Sequence, residues 1–123
     1  MKDKNRPDTK EGLLLFFSTE EAEFWFEEFL YGVEEEGLPL YLMNSRKENI
    51  AEQDSVSLAN MAAYYCCFDL GIGVDKDKLV IRHRLQKDKD PLLELDRKSA
   101  SRKKIRRMGH NAARIIKSDP LML

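Results

Sequence analysis

The sequence predicts an α/β domain: a three-layer α/β/α sandwich on a mixed, largely parallel sheet of four to five strands with one antiparallel hairpin. Three observations predict it. The run Gly12-Leu13-Leu14-Leu15-Phe16-Phe17-Ser18 is continuously apolar and too short for a helix, as expected of a strand buried on both faces. Helical and strand patterns then mostly alternate, the order that joins parallel strands by crossover helices. Towards the end, two apolar stretches flank Asp75-Lys76-Asp77-Lys78, which reads as a hairpin turn.

Residues 1–11 form a polar leader, expected to be flexible, and residues 12–121 a single domain. After the first strand, Ser18 or Thr19 starts a helix with Glu20, Glu21 and Glu23 in its first turn, where carboxylates suit the positive helix end. That helix runs to about Glu36 and stops at Gly37, with Pro39 beyond. Leu38 to Met43 is the second strand. Asp54 or Ser55 caps a second helix from about Val56 to Tyr65, in which Ala59, Ala62 and Ala63 permit close approach to a neighbour. Phe68, Leu70, Ile72 and Val74 alternate with Asp69, Gly71 and Gly73 in a third strand, whose glycines mark a bulge or a close backbone approach. Leu79 to His83 returns antiparallel, and Leu92, Leu93 and Leu95 form a last short strand. A final helix carries Ile105, Met108, Ala112, Ile115 and Ile116 on one face and ends before Asp119-Pro120.

Composition narrows the function. The 123 residues are 42% hydrophobic and 35% charged, enough for one modest core. Twenty-one Lys and Arg against twenty-two Asp and Glu give a net charge of −1, unlike a uniformly basic nucleic-acid binder or an acidic disordered chain. No apolar run approaches the roughly 20 residues that span a bilayer. Cys66 and Cys67 are adjacent and cannot staple distant segments, which suits a cytosolic protein.

Motifs for small ligands fail on inspection. Gly71-Ile72-Gly73 lacks the third glycine of a dinucleotide loop and opens no helix. Asp75-x-Asp77 starts like a calcium loop, but Val80 stands where glycine is needed and Gln86 where Glu is needed. The cysteines lack zinc-ligand spacing, and no Ser-His-Asp or Cys-His pair carries a local signature, so no catalytic residue is marked.

The first helix is more informative. At 100° per residue Ala22, Trp25, Phe26, Phe29 and Val33 share a core face, which leaves Phe24, Glu28, Tyr31 and Glu35 together on the opposite side. Aromatics there suit a partner surface, although single exposed aromatics are ordinary. Glu34-Glu35-Glu36 sits at the negative end of the helix, where a cation or a basic partner would offset it and where a merely solvated end is the bland reading. Glu36 points towards the core side of the wheel and Glu35 outward. Residues 97–117 hold nine cations and no carboxylate; phosphate binding, a solvated face and an acidic protein surface all fit such a run.

Three segments resemble one family. Gly32-Val33-Glu34-Glu35-Glu36-Gly37-Leu38-Pro39 is similar to the helix-end signature of the small subunit of the diol/glycerol dehydratase reactivating factor. Gly109-His110-Asn111-Ala112-Ala113-Arg114-Ile115-Ile116-Lys117, with Pro120 beyond, resembles its C-terminal signature. Gly71-Ile72-Gly73-Val74-Asp75 and Leu79-Val80-Ile81-Arg82-His83 look like its central hairpin, and Pro91-Leu92 like the segment after that hairpin. The resemblance spans about residues 12–121. The leader, the lysine-rich stretch 86–90 and the Arg97–Arg107 run depart from it.

The resemblance implies a non-catalytic chain with the fold of the dehydratase medium subunit. It implies a heterotetramer with a large, chaperone-like ATPase subunit that holds ATP or ADP. The implied client is an adenosylcobalamin-dependent diol or glycerol dehydratase, freed of damaged cobalamin by subunit exchange. It also implies that the middle Glu of the triple run, here Glu35, helps hold a magnesium ion shared with the large subunit. Phe24, Glu28, Tyr31 and Glu35 are then the expected partner interface. A cytoplasmic location, alone or with a metabolic microcompartment, is expected, with no membrane and no nucleic acid as partner. The alternatives are a stand-alone α/β domain binding cobalamin or a nucleotide at the carboxyl ends of its strands, or a truncated medium-subunit paralogue. Eight carboxylates and no cation in 19–36, against the cations of 97–117, make a segregated domain that suits docking on a protein partner.

Overall fold

The computed structural model describes residues 12–47, 54–86 and 90–122. The leader 1–11 and most of the lysine-rich stretch lie outside the described residues. Five strands form one sheet in the order β2-β1-β3-β4-β5: β1 Leu13–Phe17, β2 Leu40–Asn44, β3 Leu70–Val74, β4 Lys78–His83 and β5 Leu93–Asp96. β1 pairs parallel with both β2 and β3, in the registers Leu15↔Leu42 and Leu15↔Ile72. The β3–β4 hairpin is antiparallel, as expected, and β5 adds a second antiparallel pairing on β4. Only β4 runs against the other four strands.

Helices α1 (Phe26–Glu35) and α3 (Arg102–Lys117) cover one face of the sheet, and α2 (Ser55–Tyr65) covers the other. β1 shows why its sequence does not alternate. Leu13 and Leu15 face α1 and α3, Leu14 and Phe16 face α2, and all four are buried. In β3, Leu70, Ile72 and Val74 serve the first face, while Gly71 and Gly73 lie under α2. A Cβ on Gly71 would stand 2.1 Å from the Ala63 nitrogen, and one on Gly73 2.1 Å from the Ser55 carbonyl oxygen. These glycines therefore let a helix backbone rest on the strand; they do not mark a bulge.

The first helix differs from its expected form. Glu20–Trp25 is a 3-10 segment, and regular α-helix begins only at Phe26. The Thr19 side chain makes no capping bond, and the fully buried Trp25 donates its indole N–H to the Asp75 carbonyl 2.8 Å away. Anchoring the indole under the β3–β4 turn takes precedence over regular helix here. α2 begins as expected, with the Asp54 carboxylate accepting from the Ser57 amide at 2.9 Å. α3 ends at Ser118, whose left-handed φ of 59° takes the place usually held by glycine.

Candidate functional site

Two of the segments that carry the family resemblance lie on α1 and α3, and they touch. The helices cross at Gly32 and Gly109. A Cβ on Gly32 would stand 2.1 Å from the Arg106 carbonyl oxygen, and one on Gly109 2.3 Å from that of Phe29. Only hydrogen at both positions allows this approach. It brings the acidic end of α1 against the basic face of α3.

Glu36 is the hub of that contact. It caps α1 with its side chain only 9% exposed. His110 Nδ1 lies 2.5 Å and Arg114 Nε 2.9 Å from its Oε2, and Lys117 Nζ 2.7 Å from its Oε1. Lys117 also donates to the Glu36 carbonyl at 3.0 Å. The hydrogen bonds from Lys117, His110 and Arg114 hold the Glu36 carboxyl down at about 2, against the burial that opposes them. His110, Arg114 and Lys117 stand at i, i+4 and i+7, a single stripe along α3. His110 continues to Glu35, with Nε2 3.1 Å from Oε1. One turn earlier, Arg106 Nε donates to Glu28 at 2.9 Å and lies 3.9 Å from Glu35.

The four expected interface residues do not share one open face. Phe24 and Tyr31 are 43% and 40% exposed, and an arginine lies over each ring: Arg97 4.5 Å from the Phe24 centroid and Arg106 5.2 Å from that of Tyr31. Phe24 belongs to the 3-10 segment, where a 100° wheel does not apply. Glu35 is outward, with its side chain 49% exposed. Glu28 departs from expectation: its side chain is 16% exposed and engaged by Arg106. The Glu27 carboxylate raises the Tyr31 phenol above its usual value, with Glu28 adding to this.

The charge segregation needs a larger correction. The acidic and basic segments meet within the domain, because α1 and α3 lie side by side on one face of the sheet and run in the same direction, Glu28 meeting Arg106 and Glu36 meeting Arg114 and Lys117. Charge at the end of α1 is therefore already offset by α3, without a metal or a partner. Helical phase places Glu36 inward but does not reveal its partners His110, Arg114 and Lys117. Their i, i+4, i+7 stripe was the available signal. Asn111 was missed as well: largely buried, it donates to the Met122 carbonyl at 3.1 Å and accepts from the Met122 amide at 2.7 Å, pinning the C-terminal segment to α3.

Elsewhere the polar groups serve the fold. Where β3 ends, Asp75 accepts from the Ser55, Asp77 and Lys78 amides at 2.8–2.9 Å, capping α2 and closing the hairpin. Among the described residues no three His, Cys, Asp or Glu side chains converge to hold a metal, and no helix is long and apolar enough to cross a membrane.

Comparison with known proteins fits this geometry. The family model described as dehydratase medium subunit matches residues 13–122. The small subunit of the propanediol dehydratase-reactivating factor of Citrobacter freundii is 29% identical over 112 residues, covering 91% of this chain and 90% of that protein. A chain of a diol dehydratase-reactivating factor, solved in complex with ADP and Mg2+, superposes with a TM-score of 0.80 at 26% identity, covering 94% of this chain and 100% of that one. A chain of a glycerol dehydratase reactivase shares the fold at a TM-score of 0.80 and 23% identity, over 93% of this chain and 98% of its own. The overall fold is thus a known one, and the chain belongs to the dehydratase medium subunit family.

Proposed function

We propose that this chain is the non-catalytic small subunit of a reactivating factor for an adenosylcobalamin-dependent diol or glycerol dehydratase. It pairs with a large ATPase subunit that carries the nucleotide, and it gives way by subunit exchange so that damaged cobalamin leaves the client. The location is cytoplasmic, alone or with a metabolic microcompartment. The observation that carries this reading is the likeness over nearly the whole length of both chains to the reactivating-factor chain solved with ADP and Mg2+.

Within that reading, the strip of Phe24, Tyr31 and Glu35 is the docking surface. Two half-exposed aromatics, each steadied by an arginine, are preorganised contact area of the sort interfaces favour. Magnesium takes oxygen ligands, and on this strip the exposed Glu35 carboxylate offers one. The other ligands would come from the partner and from water. His110 and Arg106 keep Glu35 in place, so the ion would meet an oriented carboxylate. Glu28, engaged by Arg106, steadies this strip from beneath.

Glu35→Gln tests the docking surface. It should leave the fold intact by circular dichroism, since the Glu36 hub is untouched, and should weaken co-purification with the large subunit when magnesium is present. Wild-type stoichiometry and affinity for the variant would remove the metal role.

A further inference from the structure

The two halves of α3 use their cations differently. In the C-terminal half, His110, Arg114 and Lys117 converge on Glu36. In the N-terminal half, Arg102, Lys103 and Arg107 have no ion-pair partner among the described residues. They repel one another as well. Arg102 and Arg106 are four residues apart, as are Lys103 and Arg107, a spacing at which like charges destabilise a helix. The first turn of α3 holds no acidic residue to suit its positive end.

These side chains line a recess of about 320 Å³ between α1, α3 and the C-terminal segment. Arg102, Lys103, Arg106 and Arg107 supply four cations, against the single carboxylate of Glu28. His110 forms part of one wall, and Met122, held in place by Asn111, closes an end. Arg106 is fixed by its 2.9 Å bond to Glu28 and by the Tyr31 ring. One oriented guanidinium and three unpaired cations therefore face a common space.

We propose that this recess binds a small anion carrying several phosphate groups. Guanidinium forks match phosphate oxygens in pairs, and three cations exceed the roughly two charges of one phosphate monoester. No Phe, Tyr or Trp lines the recess, and both nitrogens of the His110 ring are engaged by Glu36 and Glu35, so the recess reads the phosphate chain and not a base. Its lining is short, the stretch Arg102–His110 of α3 with Glu28 and Met122 beside it, a footprint that suits a compact ligand better than a nucleic-acid strand. This site does not depend on the magnesium contact or on the partner proposed above.

The test is isothermal titration of the full chain with sodium tripolyphosphate at about 0.15 M ionic strength, where weak surface attraction is screened. Saturable one-to-one binding is expected. The double variant Arg102→Gln/Arg107→Gln should bind roughly tenfold more weakly or worse, and should melt no lower than wild type, since it removes repulsion. Lys98→Gln, an exposed cation outside the recess, should bind as wild type does. No saturable binding up to millimolar ligand, or an equal loss in Lys98→Gln, would overturn the site. Tighter binding of a polyglutamate peptide or a single-stranded oligonucleotide, lost in the same double variant, would overturn the ligand class in favour of a protein or nucleic-acid partner.

Discussion

The two ends of the α1–α3 seam carry similar charge and treat it in opposite ways. At the Glu36 end, three basic side chains converge on one carboxylate that is almost out of water. At the Arg102 end, four cations share the recess with one carboxylate. The first arrangement is what a fold needs: opposite charges brought together where the dielectric is low enough for them to matter. The second opposes folding slightly, through like-charge spacing and the helix dipole. The difference separates charge that builds the domain from charge that remains available to a ligand.

The most severe way to break the comparison is to force the helices apart. Gly32→Val puts side-chain atoms where the Arg106 carbonyl already lies 2.1 Å from a Cβ position. Backbone cannot yield as a flexible side chain would, so the seam must open along its length. A loss of about 3 kcal/mol or more is expected in urea unfolding, a large share of the roughly 5–15 kcal/mol typical of a domain. An unchanged unfolding midpoint would show that the helices do not cross at this glycine.

A narrower break is Glu36→Gln. It keeps the shape of the hub and removes its charge, leaving three basic groups facing one another with partial access to water. The expected loss at neutral pH is about 2 kcal/mol, between the values for exposed and for buried pairs. The pH dependence adds a second readout. Because the folded carboxyl titrates at about 2, below its ordinary value of 4.5, the native state binds fewer protons than the unfolded chain between those values. Its contribution is therefore fully present above the unfolded value and fades as pH falls towards 2. The gap between wild type and Glu36→Gln should be widest above about pH 5 and narrow through that window. A constant gap would show that the carboxyl is not held down by α3.

How far these regions were legible in the sequence depends on the kind of information each needs. The sheet and its helices follow from local pattern: the unbroken apolar run of β1, the alternation in β3 and β4, and the Asp54 cap of α2. The 3-10 segment did not show, because it answers to a bond between Trp25 and Asp75, fifty residues apart. The outward position of Glu35 and the inward one of Glu36 follow from helical phase alone. The groups that Glu36 meets do not, since periodicity says which face is covered and not by what. The resemblance held the missing link in unread form, because the glycines in two of its signatures, Gly32 and Gly109, are the two sides of one crossing. Net charge was the least informative quantity, since it averages over segments that turn out to be partners.

The mildest change sharpens the comparison instead of breaking it. Ser118 ends α3 with φ of 59°, its amide donating to the Ile115 carbonyl at 3.2 Å, while the Asp119 amide reaches that of Arg114 at 2.9 Å. The left-handed conformation strains a residue that has a Cβ and does not strain glycine. Ser118→Gly should therefore relieve native strain while adding some freedom to the unfolded chain, for a net gain of about 0.5 kcal/mol. Because Lys117 and Arg114 lie in the same turn, the substitution firms the Glu36 end of the seam and reaches the recess only through Met122, which Asn111 holds independently of residue 118. A raised melting temperature with unchanged tripolyphosphate affinity would show that the two ends act independently. A change in affinity would show instead that the recess is set by how tightly the far end of α3 is held.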